Sequence, residues 1–239
     1  MTTALVLPGP GAAAPRRRGG ARARAHVRRA LLCAQLSLRD LSPTIRRTVD
    51  VLVASVGLVL TGPLLVAAAL AIRLGSRGPA LFLQERIGKH GRPFRMLKLR
   101  TMVTGADAAK AALISDHGAG DVRFKLRHDP RITPAGRLLR RFSVDELPQL
   151  WNVLVGEMTL IGPRPPLRSE VARYDAVAMR RLEVTQGLTC LWQIGGRSDL
   201  PFSEQVRLDL DYIDRATPID DLRILTRTIP AILGGRGAY

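Results

Sequence analysis

The feature that most restricts the fold of this chain is a run of 22 residues, 51–72, that contains no charged side chain. A straight helix of this length covers about 33 Å, enough to cross the hydrocarbon core of a bilayer. Pro63 lies near its centre. Proline has no N–H to donate to the carbonyl of Val59, and its ring crowds that turn. The run therefore predicts a membrane segment that is kinked or broken at Pro63.

The charges beside this run bear on how it enters the membrane. Arg46 and Arg47 precede it, and Arg73 and Arg77 follow it. Positive charge next to a membrane segment favours the cytoplasmic side, so both ends are drawn to the same face. A re-entrant helix-break-helix over residues 46–77 satisfies both observations. A spanning helix with a proline kink is the alternative, because membrane helices tolerate proline.

The chain is strongly basic, with 37 Lys and Arg against 20 Asp and Glu and a net charge of +17. Such a balance predicts anionic partners, which are nucleic acid, acidic lipid headgroups or phosphorylated substrates. Residues 1–47 hold ten Arg and a single acid, so more than half of the net charge lies there. Aromatic residues are only 4% of the chain, which is unfavourable for stacking on nucleic-acid bases.

Residues 1–45 are predicted to be an N-terminal arm. Its first 28 residues are rich in Pro, Gly, Ala and Arg, which predicts disorder. A transit peptide is the alternative, but no Ser precedes Ser37 and no secretory apolar region is present. Leucines between arginines at 30–41 suit either a short amphipathic helix on an anionic membrane or a loosely packed surface helix.

Residues 78–239 are predicted to form a soluble-looking domain of the α+β class, mostly helical. Residues 80–87 and 93–102 read as two strands joined by a turn. A partly helical connector at 104–120, a basic helix at 132–141 and two closing helices, from about Ser203 and from Pro218, complete it. Cys33 and Cys190 form no metal-ligand or disulfide pattern, and the four histidines are scattered, so a zinc site is not expected.

Two adjacent acids, Asp145 and Glu146, precede an apolar stretch. Ser143 and Glu146 have the spacing of a capping box, and taken alone this structural interpretation is preferred because caps are common. Pro148 argues against it, because a proline just past the first turn removes a backbone hydrogen bond.

Cations surround this acid pair in the sequence. They are Lys98, Arg100, Arg137, Arg140, Arg141, Arg164 and Arg197. Phosphoryl transfer needs such a set, because a carboxylate can attack phosphorus or hold Mg²⁺ while Lys and Arg neutralise the phosphate oxygens. Surface ion pairing is the ordinary alternative for any one arginine. Neither a Walker A loop nor a dinucleotide-binding glycine motif is present.

An ordered set of motifs runs through residues 46–233. They are the apolar segment with Pro63, GPALF at 78–82, QERIG at 84–88, KLRTM at 98–102, DELPQLWNV at 145–153, GEMTLIGPRP at 156–165, GLT at 187–189, WQ at 192–193, GR at 196–197 and DLRIL at 221–225. In this order they resemble the bacterial polyprenyl-phosphate phosphoglycosyl transferases of the small monotopic type. Leu99, Gln186 and Gly62 depart from residues that are usual in that family.

The resemblance implies a re-entrant membrane segment, a cytosolic catalytic domain with interfacial amphipathic helices, and a two-step reaction. Asp145 would attack the sugar-linked phosphate and expel a nucleoside monophosphate, and polyprenyl phosphate would then take the phosphosugar. Glu146 would help to place Mg²⁺ with Asp145. The positions that match the family's phosphate and substrate contacts are Lys98, Arg100, Arg164, Arg197 and Asp221.

The same resemblance implies partners and a location. The partners are a nucleotide-sugar donor such as a UDP-hexose, undecaprenyl phosphate and an anionic membrane surface, with a homodimer left open and no nucleic acid. The location is the bacterial inner membrane, with the catalytic domain facing the cytoplasm, where the product would start polysaccharide or glycan assembly. Two alternatives are a membrane-tethered nucleic-acid binder and a non-catalytic scaffold.

Overall fold

The computed structural model describes residues 43–106, 108–109, 126 and 129–234. Residues 1–42 of the predicted arm, with its amphipathic helix, and most of the connector at 104–120 lie outside the described residues, and the last three residues of the predicted arm begin the first helix. The described residues belong to one compact unit that begins at Leu41. It is mostly helical with two small sheets, which confirms the predicted α+β class.

Helix α1 spans Pro43–Gly75, which is 33 residues with Pro63 inside. In the part of the chain that the structure describes, it is the one helix long and apolar enough to cross a membrane. The helix continues through Pro63, so no break in the helix is observed there, and the predicted kink and re-entrant path stay predictions. Proline removes one backbone bond, and a membrane-type helix can bend there without ending. One turn earlier, the hydroxyl of Thr61 donates to the carbonyl of Gly57 at 2.7 Å.

Both halves of α1 pack on the same body. Ala54, in the first half, is fully buried in the main core beside Leu150 and Val153. Ala68 and Ile72, in the second half, are buried in a second cluster. Their spacing places them on one face of the helix. The opposite face exposes apolar side chains, which include Leu52, Val56, Val59, Leu60, Val66, Leu70 and Leu74.

A hairpin follows α1, as predicted. Strand β1 (Leu81–Ile87) pairs antiparallel with β2 (Pro93–Leu99), and a 3₁₀ turn at Lys89–Gly91 joins them. Gly91 has φ +76, which favours glycine in this tight turn. The register places Lys98 near the end of β2, opposite Phe82.

Helix α2 (Pro134–Arg141) is the predicted basic helix, with Pro134 in its first turn. The hydroxyl of Thr133 caps it by accepting from the N–H of Gly136 at 3.0 Å. A 3₁₀ turn at Val144–Glu146 leads into helix α3 (Gln149–Val155). Helix α3 packs against α1 and β2.

The chain after α3 forms a second, two-stranded sheet. Strand β3 (Thr159–Ile161) runs parallel to β4 (Gly187–Thr189). A Cβ on Gly187 would lie 2.1 Å from the nitrogen of Gly162, so the close approach of the two backbones requires glycine. Helices α4 (Arg168–Val171) and α5 (Ala176–Met179) and a 3₁₀ turn at Arg180–Leu182 connect the strands.

The chain then forms α6 (Leu191–Gly195), a 3₁₀ turn at Arg197–Asp199, α7 (Phe202–Arg215) and α8 (Pro218–Gly234). Helices α7 and α8 confirm the two predicted closing helices. Asp220 and Asp221 lie in the first turn of α8, where the helix dipole favours acids.

Candidate active site

The acid pair lies in a 3₁₀ turn and not in the first turn of a helix. Ser143 adopts the left-handed region (φ +52) and makes no capping hydrogen bond, so the predicted capping box is wrong. Helix α3 begins only at Gln149, with Pro148 just before it. The missing N–H of Pro148 therefore removes no bond from a helix interior. The turn leaves both carboxylates available for contacts outside it.

Glu146 is held by two cations from distant parts of the sequence. Its Oε1 accepts from Lys98 Nζ at 2.9 Å and from Arg164 Nη1 at 3.4 Å. Burial by itself would raise the pKa of Glu146. The charges and hydrogen bonds of Lys98 and Arg164 outweigh it and hold that pKa well below its ordinary value. Glu146 is therefore ionised throughout the physiological range.

Lys98 lines the same cavity as Glu146. Burial lowers the pKa of Lys98, and the charge of Glu146 opposes part of that shift. The side chain of Lys98 is 14% exposed and that of Glu146 23% exposed. Removing one partner of such an enclosed pair leaves the other charge poorly solvated, which is strongly unfavourable.

Asp145 is in the opposite electrostatic situation. It is buried, with 7% of its surface exposed. Burial, and then the negative charge of Glu146, raise the pKa of Asp145, while Lys98 and Arg140 act to lower it. A desolvated carboxylate with a raised pKa beside specific cations is typical of a functional group. The two neighbouring acids thus have pKa values pushed apart by their surroundings.

Arg140 belongs to this site, although sequence reasoning had no ground to prefer it to Arg137 or Arg141. It lies in the last turn of α2, and its Nε donates to the hydroxyl of Thr101 at 2.9 Å. Burial lowers the pKa of Arg140, and the charge of Asp145 partly offsets this. Of the three arginines in α2, Arg140 is the one that lines the same cavity as the acids.

The acids and cations line one cavity of about 560 Å³. Its charged lining includes Asp145 and Glu146 with Arg86, Lys98, Arg131, Arg140, Arg164 and Arg197. Its apolar lining includes Phe82, Leu188, Leu225, Ala231 and Ile232. Arg197 has φ +51 in its 3₁₀ turn, and burial lowers its pKa against the raising effect of Glu146. The cavity therefore combines a charged part with an apolar wall.

Residues 41–235, which include every element of this cavity, match the sequence profile of bacterial sugar transferases. The chain belongs to the bacterial sugar transferase family.

The chain is also similar in sequence to individual sugar transferases. The chain is 38% identical to the exopolysaccharide production protein ExoY of Rhizobium meliloti over 207 residues, which are 85% of this chain and 92% of ExoY. It is 42% identical over 202 residues to the UDP-glucose:undecaprenyl-phosphate glucose-1-phosphate transferase of Caulobacter vibrioides, covering 81% of this chain and 72% of that protein.

Some sugar transferases are much longer. The galactosyl transferase CpsE of Streptococcus agalactiae is 40% identical over 194 residues, which are 81% of this chain but 43% of CpsE. The chain therefore spans nearly the whole of ExoY and less than half of CpsE.

Arg100 lines the cavity of this sugar transferase, but its guanidinium is directed at the end of α1. It donates to the carbonyls of Ser76 at 3.0 Å and Arg77 at 2.6 Å, and to the hydroxyl of Ser76 at 2.9 Å. The resemblance assigns Arg100 to the substrate. In the structure its contacts connect the residues that follow α1 to the end of β2.

Asp221 is not among the residues that line the cavity. Its carboxylate accepts from the hydroxyl of Tyr212 at 2.8 Å and pairs with Arg46 at 3.1 Å. It thereby connects α8, α7 and the start of α1. Of the seven polar positions named from sequence, the structure brings Asp145, Glu146, Lys98, Arg164 and Arg197 together and directs the side chains of Arg100 and Asp221 elsewhere.

The side chains of the site that could act as metal ligands determine whether it can hold the predicted Mg²⁺. The described residues contain no group of three or more His, Cys, Asp or Glu side chains that could hold a metal ion. Mg²⁺ is commonly bound by one or two carboxylates together with substrate phosphates. Asp145 and Glu146 fit this requirement, provided that the substrate supplies the remaining oxygen ligands.

Proposed function

We propose that this sugar transferase moves a sugar phosphate from a nucleotide diphosphate sugar to a polyprenyl phosphate, through a phosphosugar bonded to Asp145. The observation that carries the proposal is the buried Asp145 carboxylate, which shares one cavity with Glu146 and with the cations Lys98, Arg140, Arg164 and Arg197. The Caulobacter relative is named for the same reaction class, with UDP-glucose and undecaprenyl phosphate as its substrates.

In the first step, a carboxylate oxygen of Asp145 attacks the phosphorus attached to the sugar. An O–P bond forms to Asp145, and the bond from that phosphorus to the bridging oxygen breaks. The nucleoside monophosphate leaves with the bridging oxygen and its electron pair. Lys98 and Arg164 lie where they can neutralise charge on the transferring phosphate.

In the second step, an oxygen of the polyprenyl phosphate attacks the same phosphorus. The bond between Asp145 and phosphorus breaks, the carboxylate is restored, and the product is a polyprenyl diphosphate sugar. The two steps together need no external proton donor or oxidant. Burial of Asp145 keeps water from competing for the intermediate.

We further propose that Asp145 and Glu146 hold Mg²⁺ together with the diphosphate of the donor. When bound, the ion would act as a Lewis acid toward the phosphate oxygens. Glu146 suits this role because its lowered pKa keeps it ionised. Lys98 and Arg164 hold Glu146 in place.

The packing of α1 supports a membrane arrangement in which the chain does not cross the bilayer. Asp50 near its start contacts Thr159 and Leu160, and Ile72 near its end packs with Leu99. A helix that crossed to the other side would carry one of these ends away from the catalytic body. We therefore propose that both ends stay at the cytoplasmic face of the inner membrane, with the exposed side of α1 in lipid.

The two other functions raised by the sequence are less well supported. A nucleic-acid binder would present its cations on an open face, whereas here seven cations line a cavity that also contains three carboxylates. A non-catalytic scaffold would not require a buried acid with a raised pKa. We infer that the product begins an exopolysaccharide, as the name of ExoY suggests for that relative.

The test is to trap the intermediate. Purified protein in detergent is mixed with a nucleotide sugar radiolabelled in its sugar-linked phosphate, without acceptor, and quenched in acid. Label should remain on the wild-type chain and be absent from Asp145→Asn. Asp214→Asn is the control, because Asp214 is exposed and pairs with Arg180 away from the cavity. Lipid product from Asp145→Asn at a rate near that of wild type would refute the role of Asp145.

A further inference from the structure

The cavity has an apolar wall that the reaction at phosphorus does not use. It is formed by one face of α8, at Leu225, Ala231 and Ile232, with Leu188 beside it. Resting on the function proposed above, we propose that this wall binds the first isoprene units of the polyprenyl phosphate, next to the phosphate group.

Helix α8 is fixed in a position to form such a wall. Ile224 is almost fully buried in the main core, at 1% exposed. The hydroxyl of Thr228 lies 2.9 Å from that of Thr189 at the end of β4, which is also a lining residue. These contacts hold the helix against the second sheet, so its cavity face has a defined place in the cavity that also contains the acids.

The outer face of the same helix is also apolar. Leu222, Ile229 and Leu233 are 62%, 64% and 66% exposed. A helix with an apolar outer face and a folded body beneath it is suited to lie in the interfacial layer of a membrane. One helix therefore offers hydrocarbon-like surface both toward the lipid and toward the catalytic cavity.

The chemistry of the wall selects one of the two substrates. Sugar and nucleotide groups need hydrogen-bond partners when they leave water, and leaving them unpaired is costly. The side chains of Leu225, Ala231 and Ile232 contain no hydrogen-bond donor or acceptor. A hydrocarbon chain gains from burial against them. The cations across the cavity are complementary to the phosphate at the end of such a chain.

The dimensions are compatible with the first part of the lipid chain. Residues 225–232 span about 10 Å along the helix axis. Helix α6 packs against α8 and leads directly to Arg197. A lipid phosphate near Arg197 would therefore have the α8 wall beside its first carbons.

The test uses two variants of the wall, Ala231→Phe, which fills the space, and Ile232→Ser, which makes it polar. Each enzyme is assayed in detergent micelles with undecaprenyl phosphate as acceptor. We expect the KM for this acceptor to rise about tenfold or more in both variants. The KM for the nucleotide sugar should stay unchanged.

The first half-reaction gives a readout that needs no acceptor, namely exchange of labelled nucleoside monophosphate into the nucleotide sugar. It should proceed at the wild-type rate in both variants. Ile229→Ser is the matched control, because Ile229 is on the outer face of the same helix and does not line the cavity. In micelles it should leave both readouts unchanged, and thermal melts of all variants check the fold.

The outcomes separate this inference from the proposed function. If wild type exchanges the label and makes lipid product, but neither wall variant changes the acceptor KM, the wall does not bind the lipid. An equal loss in the exchange reaction would assign the wall to the donor instead and would also overturn the inference. Failure of wild type to make lipid product would refute the proposed function itself.

Discussion

Asp50 accepts a hydrogen bond from the backbone N–H of Leu160 at 3.0 Å, which joins the apolar helix α1 to strand β3. The same carboxylate accepts from the hydroxyl of Thr159 at 2.7 Å. Asp50 is the last charged residue before the uncharged run, and it is buried. The start of the membrane segment is thereby fixed to the strand that leads to Arg164.

Asp50→Ala should destabilise the protein, because it leaves a buried N–H and a hydroxyl without their acceptor. The expected loss is about 1–3 kcal/mol, measured by denaturation in detergent. Asp211→Ala is the control, since Asp211 is exposed on α7 and pairs with Arg207. Its effect should stay within about 0.5 kcal/mol. Equal stability of the Asp50 and Asp211 variants would contradict the structural role of Asp50.

Arg100→Lys should reduce stability more than it changes substrate binding. A lysine cannot reproduce the fork that donates to Ser76 and Arg77. We expect a lower melting temperature with the KM for the nucleotide sugar little changed. Arg164→Lys is the comparison, because Arg164 contacts Glu146 and should chiefly affect catalysis. A raised donor KM with an unaltered melting temperature in Arg100→Lys would instead favour a contact with substrate.

Isosteric neutralisation of the two neighbouring acids should change stability in opposite directions. Because the pKa of Asp145 is raised in the folded protein, the free energy of unfolding of the protein falls as the pH rises from the ordinary carboxyl range through the raised value. Asn resembles the protonated form, so Asp145→Asn should be more stable than wild type at neutral pH. The two should converge in acid, below the ordinary pKa.

Glu146 has a lowered pKa, so its ionised form contributes stability above the ordinary carboxyl range, and that stability is lost as the pH falls toward the lowered value. Glu146→Gln should therefore be less stable than wild type at neutral pH. Melting curves of both variants between pH 4 and 8 are the measurement. Two shifts of the same sign at neutral pH would show that the electrostatic assignment is wrong.

The pH dependence of the first half-reaction should report Asp145. Its carboxylate must be ionised to attack phosphorus, and its pKa is raised by burial and by Glu146. We expect kcat/KM to rise with pH along an acid limb that lies above the ordinary pKa of an aspartate. Arg140→Gln removes a cation that lowers this pKa, so the limb should move further toward higher pH. A limb that stays in place would exclude electrostatic contact between Arg140 and Asp145.

Both ends of α1 should be labelled from the cytoplasmic side. Single cysteines are placed at Thr48, which is exposed, and at Gly75, where an added Cβ meets nothing within 4 Å. Cys33 is replaced by serine, and Cys190 is buried. A membrane-impermeant thiol reagent should modify both positions in inverted vesicles and neither in right-side-out cells.

A cysteine at Val59 is the matched control, because that side chain is 76% exposed but lies in the middle of the apolar face. It should react from neither side if that face is in lipid. Labelling of position 48 or 75 from outside the cell would establish a spanning helix.

Local chemistry in the sequence was sufficient for much of the fold. Alternation and turn residues located the hairpin, and Pro134 and the acids at 220–221 marked helix starts that the structure confirms. The uncharged run predicted a long apolar helix. The helix continues through Pro63 without a break. The cap at Ser143 was wrong, since a cap depends on whether neighbours outside the local window satisfy the same polar groups.

The amino-acid order by itself determined the elements and the presence of an acid pair among many cations, because periodicity, caps and charge are local properties. Only the tertiary structure decided which cations meet the acids. Lys98 lies 48 residues before Glu146, and Arg164 lies 18 after it. Arg100, two residues from Lys98, donates instead to the end of α1. Such contacts depend on how strands and helices pack. Packing between residues this far apart in the sequence cannot be predicted from any short segment.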